Sequence, residues 1–244
     1  MAVACGGGGG GSSPVTPGGS GPPVALSGLV TDDASPLPSP LAGATVSIYK
    51  AGVALTGAVP LATATTSPTG MWSVAVGPPP GSYLLQIAPA DGGHATLHRN
   101  VTLAPGANAI SSPQLTVLSA MEQQCITLFN QRRVALGVPS LPVDNAAMIA
   151  ARAEAAGIAA WSGLGTPPNG TAAAYASAGG LGNVTGDDYD SGASDCAMAT
   201  ANMFAANNSF FPQNSGAAMS WFGFGIHPDP VGNSDFAAAV VQYP

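Results

Sequence analysis

The stretch Gln114-Leu115-Thr116-Val117-Leu118-Ser119-Ala120-Met121-Glu122 divides this sequence into two halves with different periods. Upstream of it, apolar and polar residues alternate, the spacing of half-buried strands. Downstream, apolar residues recur at helical spacing. Ser119 and Glu122 stand in the S-x-x-E arrangement of a capping box, so a helix is expected to begin there. Met121, Cys125, Leu128 and Phe129 then share one face, and Gly137-Val138-Pro139 ends the helix. Asp144 is placed to cap a second, alanine-rich helix with Met148, Ala151, Ala155 and Ile158 inward. Ser194-Asp195 caps a further helix running from Cys196 toward Ala206. Strands at 218–226 and 236–243 complete an α+β pattern over 118–244.

Working back from the dividing stretch, short strands are expected at 25–31, 44–50, 61–66, 71–76, 82–88, 95–103 and 109–117. Ser67-Pro68-Thr69-Gly70 and Pro78-Pro79-Pro80-Gly81 supply turns. Val46 with Ile48, and Tyr83 with Leu85 and Ile87, point to one side, while Leu84 and Gln86 face the other. Strands of this length and spacing give a β-sandwich over 24–117. Gly28-Leu29-Val30-Thr31-Asp32, Leu41-Ala42-Gly43-Ala44-Thr45-Val46, Thr69-Gly70-Met71-Trp72-Ser73 and Pro80-Gly81-Ser82-Tyr83-Leu84 follow one another in order. They resemble the successive signatures of carboxypeptidase-regulatory-like, transthyretin-like domains. The resemblance implies a non-catalytic spacer or binding module within a surface protein.

The second half carries its own resemblance. Leu128-Phe129-Asn130-Gln131-Arg132-Arg133, Leu136-Gly137-Val138-Pro139-Ser140-Leu141 and Asp144 are similar to the opening of bacterial CAP domains, the superfamily of cysteine-rich secretory, antigen 5 and pathogenesis-related proteins. Ala150-Ala151-Arg152-Ala153-Glu154-Ala155 corresponds to the second helix of that family, Gly223-Phe224-Gly225-Ile226 to its late glycine-rich strand and Val240-Val241-Gln242 to its last strand. The resemblance implies an αβα sandwich with two histidines and two acids around a metal-binding cleft. This chain departs from that tetrad: Trp161-Ser162-Gly163, Leu181-Gly182-Asn183-Val184 and Ser209-Phe210-Phe211-Pro212 stand where three of the four ligands belong. His227 is the single histidine of this half, so a His-rich zinc site is not expected, and no cofactor is implied.

Composition narrows the function further. Of 244 residues only 7% are charged, where about 25% is usual. Twelve acids face five bases, and Lys50 is the one lysine, so no basic patch is available for nucleic acid. The 33 glycines and 23 prolines accompany 46% hydrophobic residues, enough for packed cores. Residues 1–23 form a Gly/Ser/Pro tether behind Met1-Ala2-Val3-Ala4-Cys5, and small residues directly before a cysteine resemble the lipobox of bacterial lipoproteins. The resemblance implies lipidation of Cys5 and a membrane anchor; the basic and apolar parts of such a signal would be encoded upstream of Met1. If Cys5 is lipidated, Cys125 and Cys196 remain as an even pair. A disulfide between them and two buried free thiols are the alternatives.

Candidate chemistry is sparse. No G-x-S-x-G elbow exists, and the cysteines have no histidine neighbour in sequence. Glu154 and His227 are the remaining acid–base candidates in the cleft of the CAP resemblance. His94 and His98, four apart on a strand, sit about 13 Å from one another, too far for one metal, and read as solvated. Asp187, Asp188, Asp190 and Asp195 could offer oxygen ligands to calcium, or could be a solvated loop that places negative charge at a helix N-terminus. The expectation is a non-catalytic envelope lipoprotein binding a lipid, a peptidoglycan fragment or a surface protein. A divergent cell-wall or peptide hydrolase using Glu154 and His227 is the alternative.

Overall fold

The computed structural model describes residues 24–34, 36–53, 55, 57–160, 170–206, 220–228 and 234–242. Cys5 and its tether, Trp161-Ser162-Gly163 and Ser209-Phe210-Phe211-Pro212 lie outside the described residues. The described chain is β-rich, with helices confined to its second half.

The first half contains nine strands among the described residues: β1 (Ala25–Leu29), β2 (Thr31–Asp32), β3 (Thr45–Lys50), β4 (Ala62–Thr65), β5 (Met71–Val74), β6 (Gly81–Ala88), β7 (Leu97–Leu103), β8 (Ala107–Ile110) and β9 (Gln114–Leu115). One sheet has the order β5-β1-β8 and the other β4-β3-β6-β7, with a short β2-β9 pair beside them. Leu26, Val46, Ile48, Trp72, Tyr83, Leu85 and Ile87 fill the space between. Gly28 faces Trp72 across the β1–β5 pair, and the indole lies where a Cβ on Gly28 would be. This close approach explains a glycine in mid-strand. The expected strand at 109–117 is two short ones, because Pro113 cannot donate to a ladder. The strand at 25–31 likewise divides where the chain passes from β8 as partner to β9.

The second half begins with α1 (Ala120–Ala135), whose capping box forms as expected: Ser119 accepts from the Glu122 amide, and Glu122 accepts from Ser119 N at 2.8 Å. It continues with α2 (Asn145–Ala160), α3 (Thr171–Ser177), β10 (Asn183–Ala193), α4 (Cys196–Ala206), β11 (Ser220–Pro228) and β12 (Ser234–Gln242). The sheet order is β10-β12-β11, antiparallel throughout. Alternation along β11 sends its two kinds of residue to opposite faces. Phe222 and Phe224 join Phe129, Cys125, Cys196, Met203 and Phe204 of α1 and α4 in one core. Gly223 and Gly225 lie against the backbone of α2 at Ala147 and Ala151. A disulfide joins Cys125 of α1 to Cys196 of α4, 71 residues apart.

The acidic segment expected as a loop is strand β10, because its backbone pairs with the apolar β12 from Val241 to Phe236. Met121, expected inward, is 47% exposed; the inward place one residue on belongs to Glu122. Glu122 holds Arg152 of α2 in a two-point pair, Nε to Oε1 at 2.7 Å and Nη2 to Oε2 at 2.8 Å. Arg152 also donates to the Val117 carbonyl, so the dividing stretch, α1 and α2 are tied at one point.

The halves are joined through the outer face of the β3-β6-β7 layer. Leu84, which points away from the sandwich core, is packed with Ala146, Ala147, Ala150, Tyr175 and Trp221 of the second half. Beside it, His98 is buried rather than solvated. Its Nδ1 donates to Asp144 Oδ2 at 3.0 Å, and the two side chains are 1% and 2% exposed. Gln86 Nε2 donates to His98 Nε2 at 3.1 Å, and Tyr49 donates its hydroxyl to Gln86 Oε1 at 3.3 Å. The amide nitrogen of Gln86 can only donate, so the imidazole proton lies on Nδ1, toward Asp144. Asp144 also caps α2 through Oδ1 and the Ala147 amide at 2.8 Å. One carboxylate thus starts a helix and closes the contact between halves. Asp144→Ala is expected to destabilise the protein by about 3 kcal/mol, the sum of a lost cap and a lost buried acceptor, read by urea unfolding.

Candidate functional site

Two regions stand out, the end of the α2–β11 contact and a cavity at the junction of the halves. In the first, a step of two residues along β11 matches a step of four along α2, since about 6.6 Å of strand runs beside about 6 Å of helix. Gly223 meets Ala147 and Gly225 meets Ala151, so the next step sets His227 at the level of Ala155, beside the position of Glu154. The two acid–base candidates therefore fall at one end of the same layer. Glu154 is buried, and its Oε2 accepts the Gly170 amide at 3.1 Å, fixing the start of α3. His227 is half-buried, pairs in register with Asp235, and has an Nδ1 without a hydrogen-bond partner among the described residues.

The calcium candidates are spread along a strand and a cap. Asp188 Oδ1 accepts its neighbour's amide, that of Tyr189, at 2.8 Å. Asp190 accepts from Asn202 of α4 at 2.9 Å. Asp195 caps α4, accepting from the Met198 amide at 2.9 Å, and this bond holds its carboxyl below the ordinary range. The side chain of Asp187 lies outside the described residues. Among the described residues no three His, Cys, Asp or Glu side chains are grouped to hold a metal ion.

Asp190 carries a pH prediction. Burial raises its carboxyl above the ordinary 3.8, the Asn202 bond works against this, and the nearby Asp235 adds to it. A raised carboxyl binds its proton more tightly in the folded state than in the unfolded one. Stability therefore falls as pH rises through 3.8 toward the folded value, and stays lower at neutral pH. Asp190→Asn removes the charge and is expected to stabilise at pH 7 by less than about 1 kcal/mol, the group being largely solvent-screened. The gain disappears below the carboxylate range. Melting temperatures of both proteins across pH 3–8 check it.

The junction cavity is a half-open recess of about 630 Å³. Ser82 and Leu84 of β6 form one wall, with Asn100 and Thr102 of β7 directly across in register. The turn after β3, through Gly52 and Leu55, and the Gly180-Leu181-Gly182 link before β10 close the rest. Its described lining holds no ionisable side chain. This volume is within the roughly 300–1,000 Å³ of small-molecule sites. None of these residues was a site candidate in the sequence. A signal was present: Tyr83-Leu84-Leu85 breaks the alternation of a half-exposed strand, which requires both faces of β6 to be covered.

No protein-family model matches the chain, and none of the curated proteins does. Solved structures similar to parts of it include the minor pilin of Streptococcus agalactiae, at 16% identity over 39% of this chain and 45% of that one, TM-score 0.31. The TIE protein of Bacillus anthracis is 15% identical over 40% and 18%, TM-score 0.32. A DUF3823 family protein from Parabacteroides merdae is 20% identical over 40% and 46%, TM-score 0.27. The chain spans less than half the length of each. Among the described residues no helix is long and apolar enough to cross a membrane.

Proposed function

We propose that this protein is a non-catalytic binding protein of the bacterial cell envelope, anchored by a lipid on Cys5, with a carboxypeptidase-regulatory-like sandwich joined to a CAP-like head. The observation that carries the binding part is the junction cavity, large enough for a small molecule and without an acid or base among its described lining residues. General acid–base or nucleophilic chemistry needs such a group within reach of the substrate. A lipid, a peptidoglycan fragment or a segment of another surface protein is the ligand class. The anchoring part rests on the Ala4-Cys5 box and the tether that follows it. Expression in a bacterial host with the native upstream DNA, followed by labelling with radioactive palmitate, tests it. Label is expected in the full chain and absent from Cys5→Ala; an unlabelled full chain overturns the anchor.

The placement of Glu154 and His227 at one end of the α2–β11 layer favours one second reading, a divergent cell-wall or peptide hydrolase. Turnover of muropeptide or peptide substrates that vanishes in the Glu154→Gln, His227→Ala double variant would replace the binding reading with this one. No turnover in either protein is the result expected.

A further inference from the structure

We infer that the junction cavity is a binding site for an uncharged amphiphile with an apolar body and a hydroxylated end, of the chemical class of a monoacylglycerol. The inference deepens the binding reading and rests on it. Leu55, Leu84 and Leu181 give three walls of the recess an apolar surface. Ser82, Asn100 and Thr102 stand together along the β6–β7 edge of it, Ser82 directly opposite Thr102, and all three are exposed. They offer two hydroxyls and an amide, which donate and accept hydrogen bonds but neutralise no charge. An ionised group drawn against Leu55, Leu84 or Leu181 would lose hydration with no counter-charge among the described lining residues. A sugar ring would find no aromatic face among the lining residues, and its many hydroxyls would meet leucine. An apolar chain with a short neutral polar end satisfies both walls. The recess also exists only because the halves are joined: the sandwich supplies β6 and β7, the second half supplies Gly180-Leu181-Gly182.

The test uses the full chain and 1-oleoylglycerol below its aggregation concentration, followed by isothermal titration, with oleate and N-acetylglucosamine as charged and polar comparators. Saturable binding at one site per chain is expected, at least tenfold weaker for oleate and absent for the sugar. Thr102→Trp fills the recess from an exposed strand position, so it is expected to fold with an unchanged melting temperature and to bind at least tenfold more weakly. Ser82→Trp, across the strand pair, is the second filling variant should the first fold poorly. Thr127→Trp, on the exposed surface of α1, should bind like the parent. No saturable binding of 1-oleoylglycerol, equal binding of oleate, or undiminished binding in the filled variants overturns the inference. A filled variant that loses 1-oleoylglycerol but still binds muropeptides would confirm this site and show a second one. Muropeptide binding alone, unaffected by Thr102→Trp, would overturn this inference while leaving the binding reading intact.

Discussion

Gly225→Val is expected to destabilise the protein by about 4 kcal/mol, beyond the usual range for overpacking, because the obstruction is main chain. A Cβ at position 225 would overlap the Ala151 carbonyl group and the Arg152 amide of α2. Side chains yield to an added methyl by changing rotamer, but a helix backbone yields only by moving as a whole. Moving α2 away would uncover Ala147, Met148 and Ala151, all fully buried, and would pull Asp144 from His98 and Arg152 from Glu122. One substitution therefore strains the layer contact and the junction together. Gly92→Ala is the comparator, since a Cβ there meets nothing within 4 Å; its effect should be near zero. Urea unfolding of the three proteins separates the outcomes, and an unchanged midpoint for Gly225→Val would show that α2 does not rest on β11.

Loss of the Cys125–Cys196 disulfide should have a comparable effect. The bond closes a loop across 71 positions, which in the chain-entropy account contributes about 4 kcal/mol by limiting the unfolded ensemble. The cysteines are 0% and 2% exposed in the aromatic core between α1 and α4, so replacing both with alanine also removes a little packing. Reducing the parent protein with dithiothreitol while unfolding it separates the two contributions, since reduction leaves the sulfur atoms in place. A loss of about 4 kcal/mol on reduction, with slightly more for the double alanine variant, is expected. Equal stability of oxidised and reduced protein would place the stabilisation elsewhere, in the packing of Phe129 against Phe204 and Phe222.

Local signals in the sequence are legible where one residue governs one geometry. Ser119 and Glu122 form their capping box, Asp144 caps α2, and Tyr83, Leu85 and Ile87 face the sandwich core as their alternation requires. What pairs over a distance was not legible. The acids of 187–190 look like a solvated loop until the apolar β12, far along the chain, is known to pair with them. His98 looks solvated because nothing near it in sequence could satisfy both ring nitrogens; its partners are Asp144 and Gln86, 46 and 12 residues away. The junction cavity is the extreme case, since its walls come from both halves. Only the doubled leucine at 84–85 hinted that the sandwich has a covered outer face. The docking face admits one buried carboxylate, Asp144, because His98 and the Ala147 amide satisfy it; an added lysine or glutamate beside Leu84 would be stranded without a partner.

Ligand is expected to enter between the halves and not at the end of the α2–β11 layer. Amide chemical-shift mapping of the isotope-labelled full chain during titration with 1-oleoylglycerol decides between the two. Shifts are expected to concentrate at Gly52, Ser82, Thr102, Gly180 and Gly182, with Glu154 and His227 unmoved. Shifts centred on Glu154 and His227, or none at the junction, would contradict this expectation.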